Sequence, residues 1–358
     1  KNYTEDKNKY STFYGANIIR CSLRPRKSGS LNLALNYFSF MLSASFTVLK
    51  KLSDSEFDIV FVYQLSPATS ALPALVYKYF HKTPIVLWVQ DLWPDTLMAT
   101  GVLKNKFLLR FVGMGVSFIY KHCDLILGQS PSFIANINQY NRCSVPVKYF
   151  PNWSDSIFND SPNKTPAEYV KREGYFDLLF AGNIGEAQDF PAVLSAAELL
   201  RDTNIRIVVL GAGRKYEWLL QEISNRNLSD TMIILGQFPM ERMPEFFFLA
   251  DALLVSLANQ EVFSLTIPSK VQSYMAFGKP LLGMLNGIGA QTISEAKCGV
   301  VCPAGDYIAF AEAAIGLSKL SQHQLVALGN SGKLYSRTHF DKDKLRNDLI
   351  SYFNNLIL

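Results

Sequence analysis

Pro268, Ser269 and Lys270 stand between two stretches of opposite habit. Residues 251–257 before them form an apolar, β-type run. After them Val271, Tyr274 and Met275 recur at i, i+3 and i+4, a helical spacing, until Gly278-Lys279-Pro280 stops it. A loop bent at Pro268 thus brings Ser269 and Lys270 into the first turn of a helix, where unpaired N–H groups and the macrodipole attract an anion. Lys270 adds a point charge suited to phosphate. The plainer reading of the same residues is an ordinary strand–loop–helix connection with a capping serine.

Two glycine turns fit the same chemistry. Gly182-Asn183-Ile184-Gly185, with Gln188 just beyond, follows the strand expected over residues 176–181. Gly211-Ala212-Gly213 follows the strand at 205–210, with Arg214 and Lys215 beside it. Glycine lets backbone approach a ligand closely, with N–H groups free for phosphate or a sugar hydroxyl. Tight turns between strand and helix also favour glycine for their own sake. With Lys270 they offer three strand ends on one sheet edge, all fit for a diphosphate. No Gly-x-x-x-x-Gly-Lys-Ser/Thr loop is present, which argues against phosphoryl transfer from ATP by that route. In the first half, a strand at 84–89 ends in Gln90-Asp91-Leu92-Trp93-Pro94-Asp95. Ligands of parallel sheets sit beyond the carboxyl ends of strands, so Gln90, Asp91 and Asp95 occupy chemically useful places. For Asp95, capping the next helix is the simpler role.

The positioning elements alternate strand, helix, strand, which means parallel βαβ units. A length of 358 residues suggests two domains, and the Asn-, Asp-, Ser- and Pro-rich stretch at 152–166 marks their boundary. We expect a first domain over 1–152, a second over 153–336, and a carboxyl-terminal helix at 337–358 packing back on the first. Residues 16–23 read as a strand. The opening residues do not read as a signal peptide, and they lack the apolar strand and Gly-rich turn that open a Rossmann-like domain. The sequence is therefore expected to begin part-way into its first domain.

With 49% hydrophobic and 18% charged residues the chain can bury two cores and keep apolar surface. A net charge of +5 is too weak a signal for nucleic acid, and no nucleic-acid motif is present. Five scattered cysteines, Cys21, Cys123, Cys143, Cys298 and Cys302, point to a reducing compartment. Cys298 and Cys302 lack a nearby histidine or second cysteine pair, which argues against zinc. Residues 31–49 hold no charge and are flanked by Arg24, Arg26 and Lys27 on one side and Lys50 and Lys51 on the other. Asn32, Asn36, Ser39, Ser43, Ser45 and Thr47 dilute the run. A buried helix, an interfacial membrane helix and a true span all compete for it. The basic flanks favour an anionic membrane surface, so peripheral attachment is expected.

This ordered set resembles glycosyltransferase family 4. The resemblance is carried by Gln90 to Asp95, Phe150-Pro151-Asn152-Trp153, Phe180 to Gly185, Val209 to Gly213, Ile267 to Lys270 and Tyr274 to Pro280. It covers the chain from about Ile18 onward, and more narrowly it is similar to the WbuB-type branch of N-acetyl-L-fucosamine transferases. The resemblance implies the α/β GT-B architecture, two Rossmann-like domains facing across a cleft. It also implies a UDP-sugar held by the second domain, a lipid-linked glycan acceptor on the first, and a place in bacterial O-antigen or capsule synthesis. Gly182, Asn183, Gly185, Gln188 and Gly213 would then contact the donor, and Arg214 or Lys215 would neutralise its diphosphate. Pro268, Ser269 and Lys270 would form the phosphate-binding loop. The family's two glutamates fall on Leu265 and Ser273, with Glu261 a substitute for the first. The family's frequent first-domain histidine is Gln90, which makes Asp91 the better candidate to orient the acceptor.

Breaking a glycosyl–phosphate bond builds negative charge on the diphosphate, which fixed cations and helix N-terminal amides stabilise by preorganisation. With Lys270 and no Asp-x-Asp pair in a suitable loop, a retaining transfer without metal or cofactor is expected at the cytoplasmic face of the inner membrane. Two alternatives compete. A nucleotide-sugar epimerase would need acid/base histidines, and His81, His122, His323 and His339 sit in no such motif. A non-catalytic partner subunit would explain the missing glutamates.

Overall fold

The computed structural model describes residues 10–25, 29–159, 162 and 164–358. Arg26 and Lys27 of the basic flank lie outside the described residues. The strand expected over 16–23 is reduced to Ala16–Asn17, paired antiparallel with Thr12–Phe13. Its side chains are exposed, so no packing extends the ladder further.

The first domain opens with helix α1 (Ser30–Lys51), followed by strand β1 (Val60–Gln64), helix α2 (Leu72–His81) and strand β2 (Ile85–Val89). A short helix α3 (Asp95–Ala99) leads into α4 (Lys106–Lys121), β3 (Leu125–Gly128), α5 (Pro131–Tyr140) and β4 (Val147–Tyr149). The strands lie in the order β1-β2-β3-β4, all parallel. Asn105 caps α4 by accepting from the N–H groups of Phe107 and Leu108, and Ser130 caps α5 through Phe133 N–H. Alternation along β2 divides the core. Ile85, Leu87 and Val89 face the helices α4 and α5, while Val86 and Trp88 face the other way. Helix α1 is not the buried helix that its composition allowed, because among its described side chains only Ala44 and Asn36 are buried. It is long and apolar enough to cross a membrane by length and composition, and here it packs along α2.

The second domain alternates β5 (Phe176–Ala181), α6 (Phe190–Leu199), β6 (Ile205–Leu210), α7 (Tyr216–Asn225) and β7 (Met232–Gly236). Then come α8 (Met243–Leu249), β8 (Ala252–Ser256), α9 (Glu261–Ser264), α10 (Ser269–Phe277), β9 (Leu281–Met284), α11 (Gly287–Glu295), β10 (Gly299–Cys302) and α12 (Tyr307–Ser318). The parallel sheet runs β10-β9-β8-β5-β6-β7, so strand order reverses between β5 and β8. A crevice forms beyond the strand ends at such a reversal.

Helix α13 (Gln322–His339) packs on α10, so the chain leaves the second domain after His339 rather than at 336. Helix α14 (Lys342–Ile357), capped by Asp341, lays Leu345 and Leu349 against Val86, Trp88 and Phe150. That closes the second face of the first sheet. Val262, on α9, enters the first-domain core beside Trp93 and Leu97, and Ser130 Oγ donates to Leu265 O.

Candidate active site

Helix α10 starts at Ser269 behind Pro268 and no side chain caps it. Val271 N–H turns back to Pro268 O at 2.9 Å, so the N–H groups of Ser269 and Lys270 are those left for a ligand, with the positive end of the dipole behind them. Tyr274 fixes where that turn stands. Its buried hydroxyl lies 3.0 Å from Ala181 N, from which it accepts, and 3.2 Å from Ala181 O, to which it donates. The helix is thereby pinned to the end of β5, one residue before Gly182.

The ammonium of Lys270 lies 3.8 Å from the centre of the Phe180 ring. No carboxylate pairs with it among the described residues. Burial pushes its pKa down to about 7, with no charged partner among the described residues to offset the lost hydration. Gly182 makes the approach feasible. A Cβ there would stand 2.5 Å from Lys270 Cε and 2.9 Å from Nζ, and its φ of +143° is one that side chains rarely adopt. Gly211 nests behind it, where a Cβ would meet Gly182 O at 1.8 Å.

These groups share a cavity of about 800 Å³ at the β5/β8 reversal. Gly182, Asn183, Gln188, Pro268, Ser269, Lys270 and Ser273 line it. Ser256 steadies Gln188 by donating to its carbonyl at 2.7 Å. The amides of the glycine turn are less free than expected. Gly182 N–H donates to Leu210 O, Ile184 N–H to Ala212 O, and Gly185 N–H to Gln188 Oε1 at 3.1 Å. The two turns thus satisfy each other's backbone, which leaves the α10 N-terminus as the main open amide array.

Other expected residues stand outside the cavity lining. Lys215 turns away, its ammonium 3.0 Å from Glu186 and stacked 4.9 Å over Trp218, while its N–H is held by Ile184 O. Arg214 is exposed, and Gly185 and Gly213 back onto the turn itself. Glu261 is exposed at the start of α9, which packs against α3 of the first domain. Asp91 accepts from Trp93 Nε1 at 3.1 Å. Asp95 does not cap α3. It is that helix's first residue, with Pro94 at the cap, and accepts from Asn136 Nδ2 at 2.9 Å.

Gln90 reaches α10 through one intermediary. Asn152 Nδ2 donates to Gln90 Oε1 at 2.8 Å, and Gln272 Nε2, on α10, donates to Asn152 O at 3.0 Å. Gln272 escaped the sequence reading. So did the apolar wall of Phe158, Phe238, Met240 and Phe247, although Gly236-Gln237 ends a strand on the same sheet edge.

Residues 162–333 match the family of glycosyl transferases group 1. The chain is 26% identical over 295 residues to a probable glycosyltransferase, WbjE, of Pseudomonas aeruginosa, covering 79% of this chain and 70% of that protein. It is 22% identical over 277 residues to WcaI of Escherichia coli, a putative colanic acid biosynthesis glycosyl transferase, covering 74% of this chain and 66% of that one. Its fold matches the crystal structure of Anabaena HepE in complex with UDP and glucose, with TM-score 0.68, 13% identity, and 87% and 80% of the two chains covered. The chain is a glycosyltransferase of GT-B fold, similar over residues 162–333 to glycosyl transferases group 1.

Proposed function

We propose that the protein is a retaining, metal-independent transferase moving a sugar, N-acetyl-L-fucosamine in the WbuB-type reading, from a UDP-sugar to a lipid-linked oligosaccharide. The setting is O-antigen or capsule synthesis, with the enzyme held peripherally at the cytoplasmic face of the inner membrane. The observation that carries the donor reading is the meeting of Lys270, the uncapped α10 N-terminus and Gly182 on one cavity. The names of WbjE and WcaI, and the UDP and glucose bound to HepE, support it.

In this reading the diphosphate lies against Ser269 and Lys270, and the base against Phe238 and Met240. The bond from the anomeric carbon to the diphosphate oxygen breaks, and the acceptor hydroxyl oxygen bonds that carbon on the same face. The hydroxyl proton passes to the departing diphosphate. Lys270 and the helix amides stabilise the charge that develops there. Asp91 orients the acceptor, and closure of the domains excludes water.

Calorimetric titration with UDP tests the donor site. Wild type should bind, and Lys270→Ala should bind at least tenfold more weakly. Equal affinity in the two proteins would remove Lys270 from the site and the reading with it.

A further inference from the structure

Two helices of the first domain leave apolar faces without cover. Along α1, Leu31, Leu35, Phe38, Leu42, Phe46 and Leu49 are exposed at spacings of three and four, a single stripe. Along α4, Phe107, Leu108, Phe111, Met114 and Phe118 are exposed too, Phe107 at 85%. Between the helices runs a groove of about 590 Å³, of ordinary ligand size. Its walls carry no charged side chain, and Phe38, Phe111 and Phe118 both line it and reach solvent, so they rim its mouth.

The charge carried by the two helices has one sign. Helices α1 and α4 contain no acidic residue, and neither do residues 7–53 or 96–123 as a whole. Lys50, Lys51, Lys104, Lys106, Arg110 and Lys121 are exposed around the two stripes, and none takes part in an ion pair among the described residues. Apolar stripes edged by unpaired cations complement an anionic lipid surface. The groove also abuts the polar edge of the first sheet. Tyr37 and Trp93 belong to its wall, and both reach Ser66 Oγ, at 3.3 and 3.2 Å. The same indole N–H is 3.1 Å from the carboxylate of Asp91.

We propose that this groove takes the hydrocarbon chain of a prenyl-diphosphate-linked acceptor, entering between Phe38, Phe111 and Phe118 from the bilayer surface. The inference rests on the reading of the protein as a transferase to a lipid-linked acceptor. It adds the place where the lipid is held, and it assigns α4 a role as large as that of α1. A chain bound there leads its head group towards Trp93 and Asp91.

Gly115 supplies the test. It lies on the groove wall, and a Cβ built there has no atom within 4 Å, so Gly115→Phe has open space from which to project into the groove. The probe is farnesyl diphosphate below its micellar concentration, with inorganic pyrophosphate as the head-group control and UDP titrated on the same samples. Wild type should bind farnesyl diphosphate at least tenfold more tightly than pyrophosphate, and Gly115→Phe should lose that preference while keeping its UDP affinity. Phe111→Ser, at the exposed mouth, should weaken farnesyl diphosphate several-fold. Equal binding by wild type and Gly115→Phe, or no preference over pyrophosphate, overturns the proposal. So does a wild-type dimer in sedimentation that Gly115→Phe dissociates, since a second copy would then be the occupant. Wild type that binds UDP but shows no preference for farnesyl diphosphate sinks the groove alone, whereas wild type that fails to bind UDP sinks the donor reading instead.

Discussion

Lys270 Nζ stands 3.8 Å from the centre of the Phe180 ring, in space that any side chain at Gly182 would claim. Strand β5 therefore contributes a ring beneath the cation and, two residues later, the gap that admits it. Tyr274 ties the two elements together at Ala181. Among the described residues no carboxylate pairs with the ammonium, which an anionic ligand would therefore stabilise.

Gly182→Ala should therefore mimic loss of the lysine without touching it. The new methyl would displace Cε and Nζ, and the φ of +143° adds backbone strain. UDP affinity should fall tenfold or more, with a stability loss of about 1–2 kcal/mol. Gly316→Ala is the control, since it lies in helix α12 with open space around its Cβ. Unaltered UDP affinity in Gly182→Ala would show that the lysine position is not set by this gap.

A second expectation concerns protons. Lys270 has its pKa depressed to about 7 in the native protein, against 10.5 as the ordinary value. Between those limits the unfolded chain binds a proton that the folded chain does not, so this group's contribution to stability is present above 10.5 and is lost as pH falls through 7. UDP reverses the sense, because it favours the charged form. At pH 8.5 binding should take up close to one proton, and affinity should fall roughly tenfold per unit of rising pH in that window. Calorimetry in two buffers of different ionisation enthalpy reads the uptake. A value near zero, or one unchanged in Lys270→Ala, would contradict the assignment.

The parts of this site that were legible in the sequence are those where one residue dictates local geometry. Proline at 268 stops one element and starts the next, and glycine at 182 and 211 reports backbone that a Cβ could not share. Side-chain direction around a turn carries no such mark. Arg214 and Lys215 follow a glycine turn on the right sheet edge, yet Glu186 and Trp218 draw Lys215 outward. Phe238 and Met240 carry no mark in the sequence that sets a cavity wall apart from core. The hydrophobicity of residues 106–121 announced a helix but not that half of it would find no partner. Gln272 was hidden for a related reason, since its place on the inner face of α10 becomes meaningful only once Asn152 of the other domain stands opposite.

The last prediction tests what keeps β5 in register. Asp177 and Arg206 are direct neighbours across β5 and β6, at 0% and 6% exposure. Arg206 donates from Nε to Oδ1 and from a terminal nitrogen to Oδ2, both at 2.7 Å, and the Tyr169 hydroxyl donates to the same carboxylate at 2.6 Å. The phenol is held protonated by its burial and by that negative charge. Removing the carboxylate alone leaves a guanidinium buried without a counter-charge, so Asp177→Ala should cost about 3–5 kcal/mol. Replacing both members, Asp177→Leu with Arg206→Met, should recover most of that loss, because the desolvation of two ions disappears with them. Urea unfolding measures both, with the slope expected to stay constant if the denatured state is unaltered. Asp177 lies near the amino end of β5 and Gly182 just past its carboxyl end, so folded protein of either variant should retain its UDP affinity. A double variant no more stable than Asp177→Ala would mean that the pair contributes specific geometry that apolar packing cannot replace.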